Sequence, residues 1–304
     1  MTALVICGIV FAALLFLWLI VAVLCFHLLF RAKGQTREDS LAILNDKGTP
    51  FADEIPDSAL EQISVGGAGG VPLNGYYVNR FPDARKVVIL VHGIRANHVI
   101  GLQYAPLFLA GGYNVLAIDQ RAHGESGGRF STFGYYESRD LAAWVCYLRK
   151  RLGADCEIGL MGHSMGAATV LCYPELDGAI RFIVADCAYD SLKNFMLHLL
   201  RGFYFMAGPM YATIRLLIRL RCGFDPEVVN PAHIATRQGC DIPVLFVHTK
   251  GDRAISYLSA QRMYDARGNP RDRLYIHENA KHPDVYADGK ESYRRVVDEF
   301  LGNL

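Results

Sequence analysis

Short β-branched runs alternate with longer helical patterns over most of this 304-residue chain, and this alternation limits the possible folds more than any other feature. The runs are apolar along their whole length, as expected when helices cover both faces of a parallel sheet. Six runs are predicted strands, at residues 87–91, 115–118, 158–161, 182–185, 244–247 and 273–276. Helical patterns occupy residues 137–152, 165–173, 258–266 and 290–301. This order predicts an α/β fold with a mostly parallel central sheet and helices on both faces.

The first 30 residues include 27 apolar residues and no Lys, Arg, Asp or Glu. A helix needs about 20 apolar residues to cross a bilayer. A cleaved signal peptide would have basic residues before a shorter apolar core. Residues 1–30 are therefore predicted to be a single-pass transmembrane anchor in the cell membrane. Arg31, Lys33 and Arg37 follow the anchor, which favours a cytoplasmic location for the rest of the chain.

The charge and the cysteines exclude other classes of function. The 31 Lys and Arg residues balance 30 Asp and Glu residues, so the chain lacks the cationic bias of a nucleic-acid-binding protein. The eight cysteines form no C-x-x-C pair, and no metal or other cofactor is expected. Residues 66–70 are rich in glycine, but Pro72 breaks the dinucleotide-binding pattern. We expect a hairpin there, between strands at 60–65 and 73–78.

Residues 31–59 are polar, and we expect a tether with one short helix. The main domain is predicted over residues 60–304. An insertion at about 193–240 is larger than a simple crossover and includes a helical pattern at 209–221. It is either a helix packed on the sheet or a mobile lid whose apolar side touches a membrane or shapes an acyl pocket.

Residues 162–166 read Gly-His-Ser-Met-Gly and lie between a predicted strand and a predicted helix. In that context G-x-S-x-G is typical of a sharp turn that exposes a nucleophilic serine, and its glycines let the strand and the helix approach closely. The N-terminus of the helix also favours developing negative charge. Ser164 is therefore the candidate nucleophile.

A serine nucleophile needs a base supported by an acid, and in such folds the chain order is serine, acid, histidine. Asp252 follows the strand at 244–247, and His282 follows the strand at 273–276. We expect His282 to be the base and Asp252 to orient it. Asp186 and Asp190 are alternatives for the acid, and His277 is the alternative for the base.

Residues 92–95 follow the first long buried strand. A loop at this place can aim a backbone N–H at the tetrahedral oxyanion, and Ile94 is the expected donor, with Arg95 as the second choice. The Met165 N–H is the expected second donor. His92 is expected to be structural.

Residues 119–126 read Asp-Gln-Arg-Ala-His-Gly-Glu-Ser. With the G-x-S-x-G turn and the Asp252 loop, this stretch resembles the α/β-hydrolase superfamily, in particular bacterial lysophospholipase-like and serine-aminopeptidase-like members. The resemblance covers residues 60–304. Ala122 stands where the family usually has Gly, and residues 249–251 also depart from the family pattern.

The resemblance implies an α/β-hydrolase fold with a small helical lid. Together with the candidate residues it predicts a serine hydrolase that cleaves a carboxylic ester, with lipid-like acyl esters and thioesters as options. The expected partners are an acyl substrate and a membrane bound through residues 1–30, without nucleic acid. An amide or peptide hydrolase is the nearest alternative, because the acyl-enzyme chemistry is shared. A noncatalytic binding protein on the same fold is the other alternative.

Overall fold

The computed structural model describes residues 2–31, 34–51, 54–173, 179–235 and 241–304. Their strands are β1 Leu60–Gly66, β2 Pro72–Val78, β3 Lys86–Val91, β4 Asn114–Ile118, β5 Glu157–His163, β6 Ile180–Asp186, β7 Val244–Thr249 and β8 Arg273–His277. They form one sheet in the order β1-β2-β4-β3-β5-β6-β7-β8. The pairs β1–β2 and β2–β4 are antiparallel, and the pairs from β4 to β8 are parallel. The predicted α/β fold and the hairpin at 60–78 are confirmed.

The α-helices lie around this sheet. They are α1 Thr2–Phe30, α2 Arg37–Asp46, α3 His98–Leu102, α4 Ala105–Ala110, α5 Tyr135–Leu152, α6 Met165–Leu171, α7 Leu192–Leu199, α8 Ala207–Cys222, α9 Pro231–Ala235, α10 Leu258–Arg267, α11 Val285–Asp288 and α12 Lys290–Gly302. The four helices predicted from the pattern begin and end within two residues of α5, α6, α10 and α12.

Alternate residues of each parallel strand face two separate hydrophobic cores. In β3, Val88 and Leu90 face the core that is shared with α2, α4 and α12. Val87, Ile89 and Val91 face the core that is shared with α5 and α10. Helices therefore cover both faces of the sheet, which explains why its strands are apolar along their whole length.

Segment 34–51 is packed on the body rather than free. Leu44 and Phe51 are buried in the core on the α12 side of the sheet. A capping box between Thr36 and Asp39 starts α2. The sequence prediction of a tether rested on the polar composition of 31–59, but a few apolar residues are enough to dock a short helix.

Helix α1 has the length and composition of a membrane span, with a mean hydropathy of 3.1 in its most apolar window. Every described residue from Thr2 to Leu17 is exposed. From Trp18 onward, one face packs on the body, and Ala22, Phe26 and Phe30 are buried there.

The predicted insertion at 193–240 contains most of α7, all of α8 and α9, and a strained turn at 200–206. Its residues 236–240 lie outside the described part of the chain. Helix α8 buries Met210, Ile214 and Ile218 in a third apolar cluster, which also includes Met165 and the packed face of α1. This cluster lies over the carboxyl ends of the central strands, where ligands bind in open α/β sheets.

Candidate active site

Ser164 lies in the sharp turn between β5 and α6, with backbone angles of φ 54° and ψ −120°. A positive φ is costly for a residue with a side chain, and such strain is typical of functional turns. The two flanking glycines make the turn possible. A Cβ on Gly162 would lie 2.3 Å from Gly166 C, and a Cβ on Gly166 would lie 2.0 Å from Val91 O.

The structure brings Ser164, His282 and Asp252 together, although they are far apart in the chain. The Ser164 Oγ lies 2.8 Å from His282 Nε2. On the other side of the ring, His282 Nδ1 lies 2.6 Å from Asp252 Oδ2. A nucleophile bonded to a base, and that base bonded to an acid, is the arrangement that activates a serine hydroxyl.

Asp252 is held as a carboxylate by the groups around it. Its side chain is fully buried, which by itself would raise its pKa, but His248 and His282 outweigh this effect and hold the pKa of Asp252 well below its usual range. The N–H groups of Ala254 and Ile255 each donate to Oδ1 at 2.8 Å. His248 lies 3.2 Å from Oδ2 and was not singled out in the sequence.

The alternative residues have other partners. Asp186 Oδ2 accepts hydrogen bonds from Tyr104 and Tyr293 at 3.2 and 3.1 Å. Asp190 pairs with Arg262 at 2.5 Å. The His277 Nδ1 accepts backbone N–H groups of its own loop, the nearer at 3.0 Å. Asp252 and His282 are therefore the acid and the base that the geometry favours.

Ile94 and Met165, the expected oxyanion donors, both lie near Ser164. A Cβ on Gly93 would lie 3.2 Å from Ser164 Cβ, so the loop that carries Ile94 runs beside the serine. Met165 follows Ser164 at the first position of α6, where backbone N–H groups lack helical partners. Within the described residues, neither N–H donates to a protein acceptor. Both are thus available for a bound oxyanion.

His163 fixes the start of this loop. Its Nε2 accepts the Gly93 N–H at 3.2 Å. Burial lowers the pKa of His163 to about 3, so its ring is neutral and can accept this bond.

His92 is a second neutral histidine near the site. Burial lowers the pKa of His92 to about 3, and His92 Nε2 accepts the Gln120 N–H at 3.0 Å.

The family model of the alpha/beta hydrolase fold matches residues 86–217. The uncharacterized protein YqkD of Bacillus subtilis is 33% identical over 282 residues, which are 91% of each chain. The chain belongs to the α/β-hydrolase family.

Two further relatives carry names that describe an activity. The solved structure of the Pyrococcus furiosus esterase Pf2001 has a TM-score of 0.65 and 25% identity, and the match covers 80% of this chain and 90% of that one. A monoacylglycerol lipase of Mycolicibacterium smegmatis is 33% identical over 127 residues, which are 38% of this chain and 42% of the lipase. The protein is thus a hydrolase of the α/β-hydrolase fold.

A cleft of about 800 Å³ opens beside His282 in this hydrolase. Its lining residues are mainly polar or charged: Lys250, Gly251, Arg253, Ala254, Asn279, Lys281 and His282. Lys250 pairs with Glu278 at 2.8 Å. Arg253 and Lys281 are exposed, and within the described ranges no carboxylate lies within ion-pair distance of either. The cleft therefore carries uncompensated positive charge that the sequence pattern did not predict.

The hydrolase has one group of possible metal ligands within its described residues. Cys187, Asp252 and His282 each offer an atom within 4.8 Å of the others. However, Asp252 and His282 bond to each other, and burial raises the pKa of the Cys187 thiol well above its usual range. A metal ligand would have to be the thiolate. The group therefore fits a hydrogen-bonded catalytic pair better than a metal site.

Proposed function

We propose that this protein is a membrane-anchored serine hydrolase that cleaves a carboxylic ester through an acyl-Ser164 intermediate. The observation that carries the proposal is the continuous chain of short contacts from Ser164 Oγ through His282 to Asp252. The esterase and lipase names of two relatives support an ester as the substrate.

In the first half of the reaction, Ser164 Oγ attacks the substrate carbonyl carbon and His282 Nε2 takes the hydroxyl proton. Asp252 stabilises the imidazolium and holds the ring in the required tautomer. The tetrahedral oxyanion accepts hydrogen bonds from the Ile94 and Met165 N–H groups, each worth roughly 3 kcal/mol in related sites. Collapse breaks the bond to the leaving group, which receives the proton from His282 and leaves as an alcohol or thiol.

In the second half, water replaces the leaving group. His282 takes a proton from the water as it attacks the acyl carbonyl, and the same N–H groups stabilise the second oxyanion. Collapse returns the proton to Ser164 Oγ and releases the carboxylic acid. The enzyme is restored without a metal or another cofactor in any step.

The apolar surroundings of Ser164 favour a lipid-like acyl group. Met165, next to the nucleophile, belongs to the same cluster as Phe133, Met196 and Ile214. We assign residues 1–30 as a single-pass anchor, with the catalytic domain at 60–304 on the cytoplasmic side because Arg31, Lys33 and Arg37 follow the span. Part of the insertion at 193–240 serves as the lid.

The test is covalent labelling of the full-length protein in detergent with a fluorophosphonate probe. Labelling is expected for the wild type and for the matched control Ser64→Ala, and not for Ser164→Ala. Hydrolysis of p-nitrophenyl esters of increasing chain length, beside an aminoacyl amide, then separates esterase from amidase activity. A wild-type protein that neither reacts with the probe nor hydrolyses any ester would be a binding protein instead.

A further inference from the structure

The outward face of α1 remains apolar where its other face packs on the body. Leu19, Leu24 and Leu28 are 46, 56 and 64% exposed, whereas Phe26 and Phe30 in the same stretch are buried. The first charged residue after this helix is Arg31. An apolar helical face that continues to Leu28 is stable in hydrocarbon and costly in water. When α1 is inserted in a bilayer, the hydrocarbon region therefore extends along the half of α1 that packs on the body.

Helix α8 lies against this half of α1. Trp18 Nε1 donates to Thr213 Oγ1 at 3.1 Å, which fixes the two helices side by side. Thr213, Leu216 and Leu220 have i, i+3, i+7 spacing, so they share one face of α8. Leu216 and Leu220 are 55 and 71% exposed. The apolar surface of α1 is thus continued by two leucines of α8.

The opposite face of α8 is apolar as well, because Met210, Ile214 and Ile218 are buried in the cluster near Ser164. A helix that is apolar on opposite faces is typical of a fully buried or membrane-contacting helix. In this structure the inner face is covered by the body, and the outer face is exposed. The outer face therefore needs an apolar partner.

Aromatic and cationic side chains border the same surface. Tyr204 and Phe205, just before α8, are 84 and 88% exposed. Arg219, three residues after Leu216 on α8 and so beside this face, is exposed as well. Aromatic rings and arginines are enriched where proteins meet lipid headgroups, and arginines favour anionic lipids. The composition of the border matches a bilayer better than it matches a protein partner.

We propose that the outer face of α8, with Tyr204 and Phe205, lies against the bilayer that holds α1, and that the enzyme takes its acyl substrate from this bilayer. The substrate class is then a membrane-resident acyl ester rather than a soluble one. This inference rests on the proposed ester hydrolase activity. Its physical basis is that one apolar cluster, formed by α1, α8 and Met165, connects the lipid-facing surface with the nucleophile.

The surface is tested by fluorescence quenching of the full-length protein in phosphatidylcholine–phosphatidylglycerol vesicles that contain nitroxide-labelled lipid. The wild type contains only Trp18 and the buried Trp144. In the wild-type background, which keeps the Trp18–Thr213 hydrogen bond, Phe205→Trp is expected to add a quenched emission, whereas Arg295→Trp, on helix α12, is expected to add an unquenched one. Quenching of Trp18 in the wild type without quenching at position 205 would overturn the proposal. Absence of quenching at both positions would overturn it as well.

The source of the substrate is tested with a double variant, Leu216→Ser with Leu220→Ser. We expect at least a fivefold lower rate with a long-chain ester embedded in vesicles and an unchanged rate with a soluble short-chain ester. The matched control is Leu258→Ser, an exposed leucine on α10, which should change neither rate. Equal loss of both rates, or no loss of either, would contradict uptake from the bilayer. Failure of the wild type to cleave the soluble ester would instead refute the proposed function.

Discussion

The backbone N–H of Gln35 donates to the carbonyl of Arg95 at 2.8 Å, which ties the segment after α1 to the loop that carries Ile94. Asn97 strengthens this connection, because its side-chain amide donates to the Gln35 carbonyl at 3.1 Å. Arg95 also reaches back to α1, where its guanidinium donates to the Leu28 carbonyl at 3.1 Å. The segment after α1 thus supports the loop that carries the expected oxyanion donor Ile94.

Arg95→Ala should lower kcat about fivefold with little change in KM. The substitution removes a hydrogen bond worth about 1 kcal/mol that helps to hold the loop, and an oxyanion donor acts mainly in the transition state. Arg95→Lys should restore part of the rate because it keeps a donor. Steady-state kinetics with a soluble ester provide the measurement.

The control for this change is Arg80→Ala, which removes an exposed arginine whose described contact is the Glu54 carbonyl. Its kcat should match the wild type. If Arg95→Ala raised KM and left kcat unchanged, Arg95 would contact the substrate rather than position the loop.

His248 is expected to position Asp252 without taking part in proton transfer. His248 is fully buried and lies 3.2 Å from the Asp252 carboxylate. Asp252→Asn should lower kcat by about 10³-fold or more, because the asparagine favours the wrong tautomer of His282. His248→Gln should cost about tenfold, since Asp252 keeps its backbone donors.

The measurement is kcat as a function of pH for both variants. Fluorophosphonate labelling should be slower in both variants than in the wild type, and slower in Asp252→Asn than in His248→Gln. Equal losses in the two variants would show that His248 is as important to the reaction as Asp252 itself.

The sequence singled out Ser164, Asp252 and His282, which the structure brings together, because each lies in a local pattern with a known chain order. Ser164 lies in a strand–turn–helix motif, and Asp252 and His282 each follow an apolar strand. The same reasoning placed Ile94 beside Ser164, since loops after neighbouring parallel strands meet at one edge of a sheet.

The supporting contacts could not be predicted in the same way. His248 is one residue of an apolar strand, and only the fold shows that it faces Asp252 rather than the core. The docking of Gln35 on Arg95 joins residues 60 positions apart through backbone atoms, which leave no trace in side-chain identity. The capping box of Thr36 and Asp39 starts α2, but it gives no information about where the helix packs.

Asp186 should make the stability of the fold depend on pH. Burial raises its pKa from the ordinary 3.8 to about 6, so the folded state binds this proton more tightly than the unfolded state. The free energy of unfolding should therefore fall as pH rises from about 4 to about 6, by about 3 kcal/mol for this group. Asp186→Asn stays neutral and should not show this loss.

Urea unfolding of both proteins at pH 4, 5, 6 and 7 provides the measurement. The stability of Asp186→Asn relative to the wild type should increase across this range and then level off. Asp298→Asn, on the exposed face of α12, is the control and should follow the wild type. A difference that is constant with pH would mean that Asp186 keeps its ordinary pKa in the fold.

The uncompensated charge in the cleft beside His282 should favour substrates with an anionic leaving group. Arg253 and Lys281 line this cleft, and a cleft lined with one sign of charge concentrates ligands of the opposite sign. Replacing both residues with Gln should raise KM severalfold for an ester with a phosphate on its leaving group. A neutral ester of the same chain length should be affected much less, because it has no charge to attract.

Salt gives an independent check of the same electrostatic effect. Raising the ionic strength from 0.05 to 0.5 M should weaken the preference of the wild type for the anionic ester, because screening shortens the range of the attraction. The double variant should show a much smaller salt dependence. Lys250→Gln is the matched control, since Glu278 already neutralises Lys250 at 2.8 Å. If all three proteins responded equally to salt, the charge in the cleft would have no part in substrate selection.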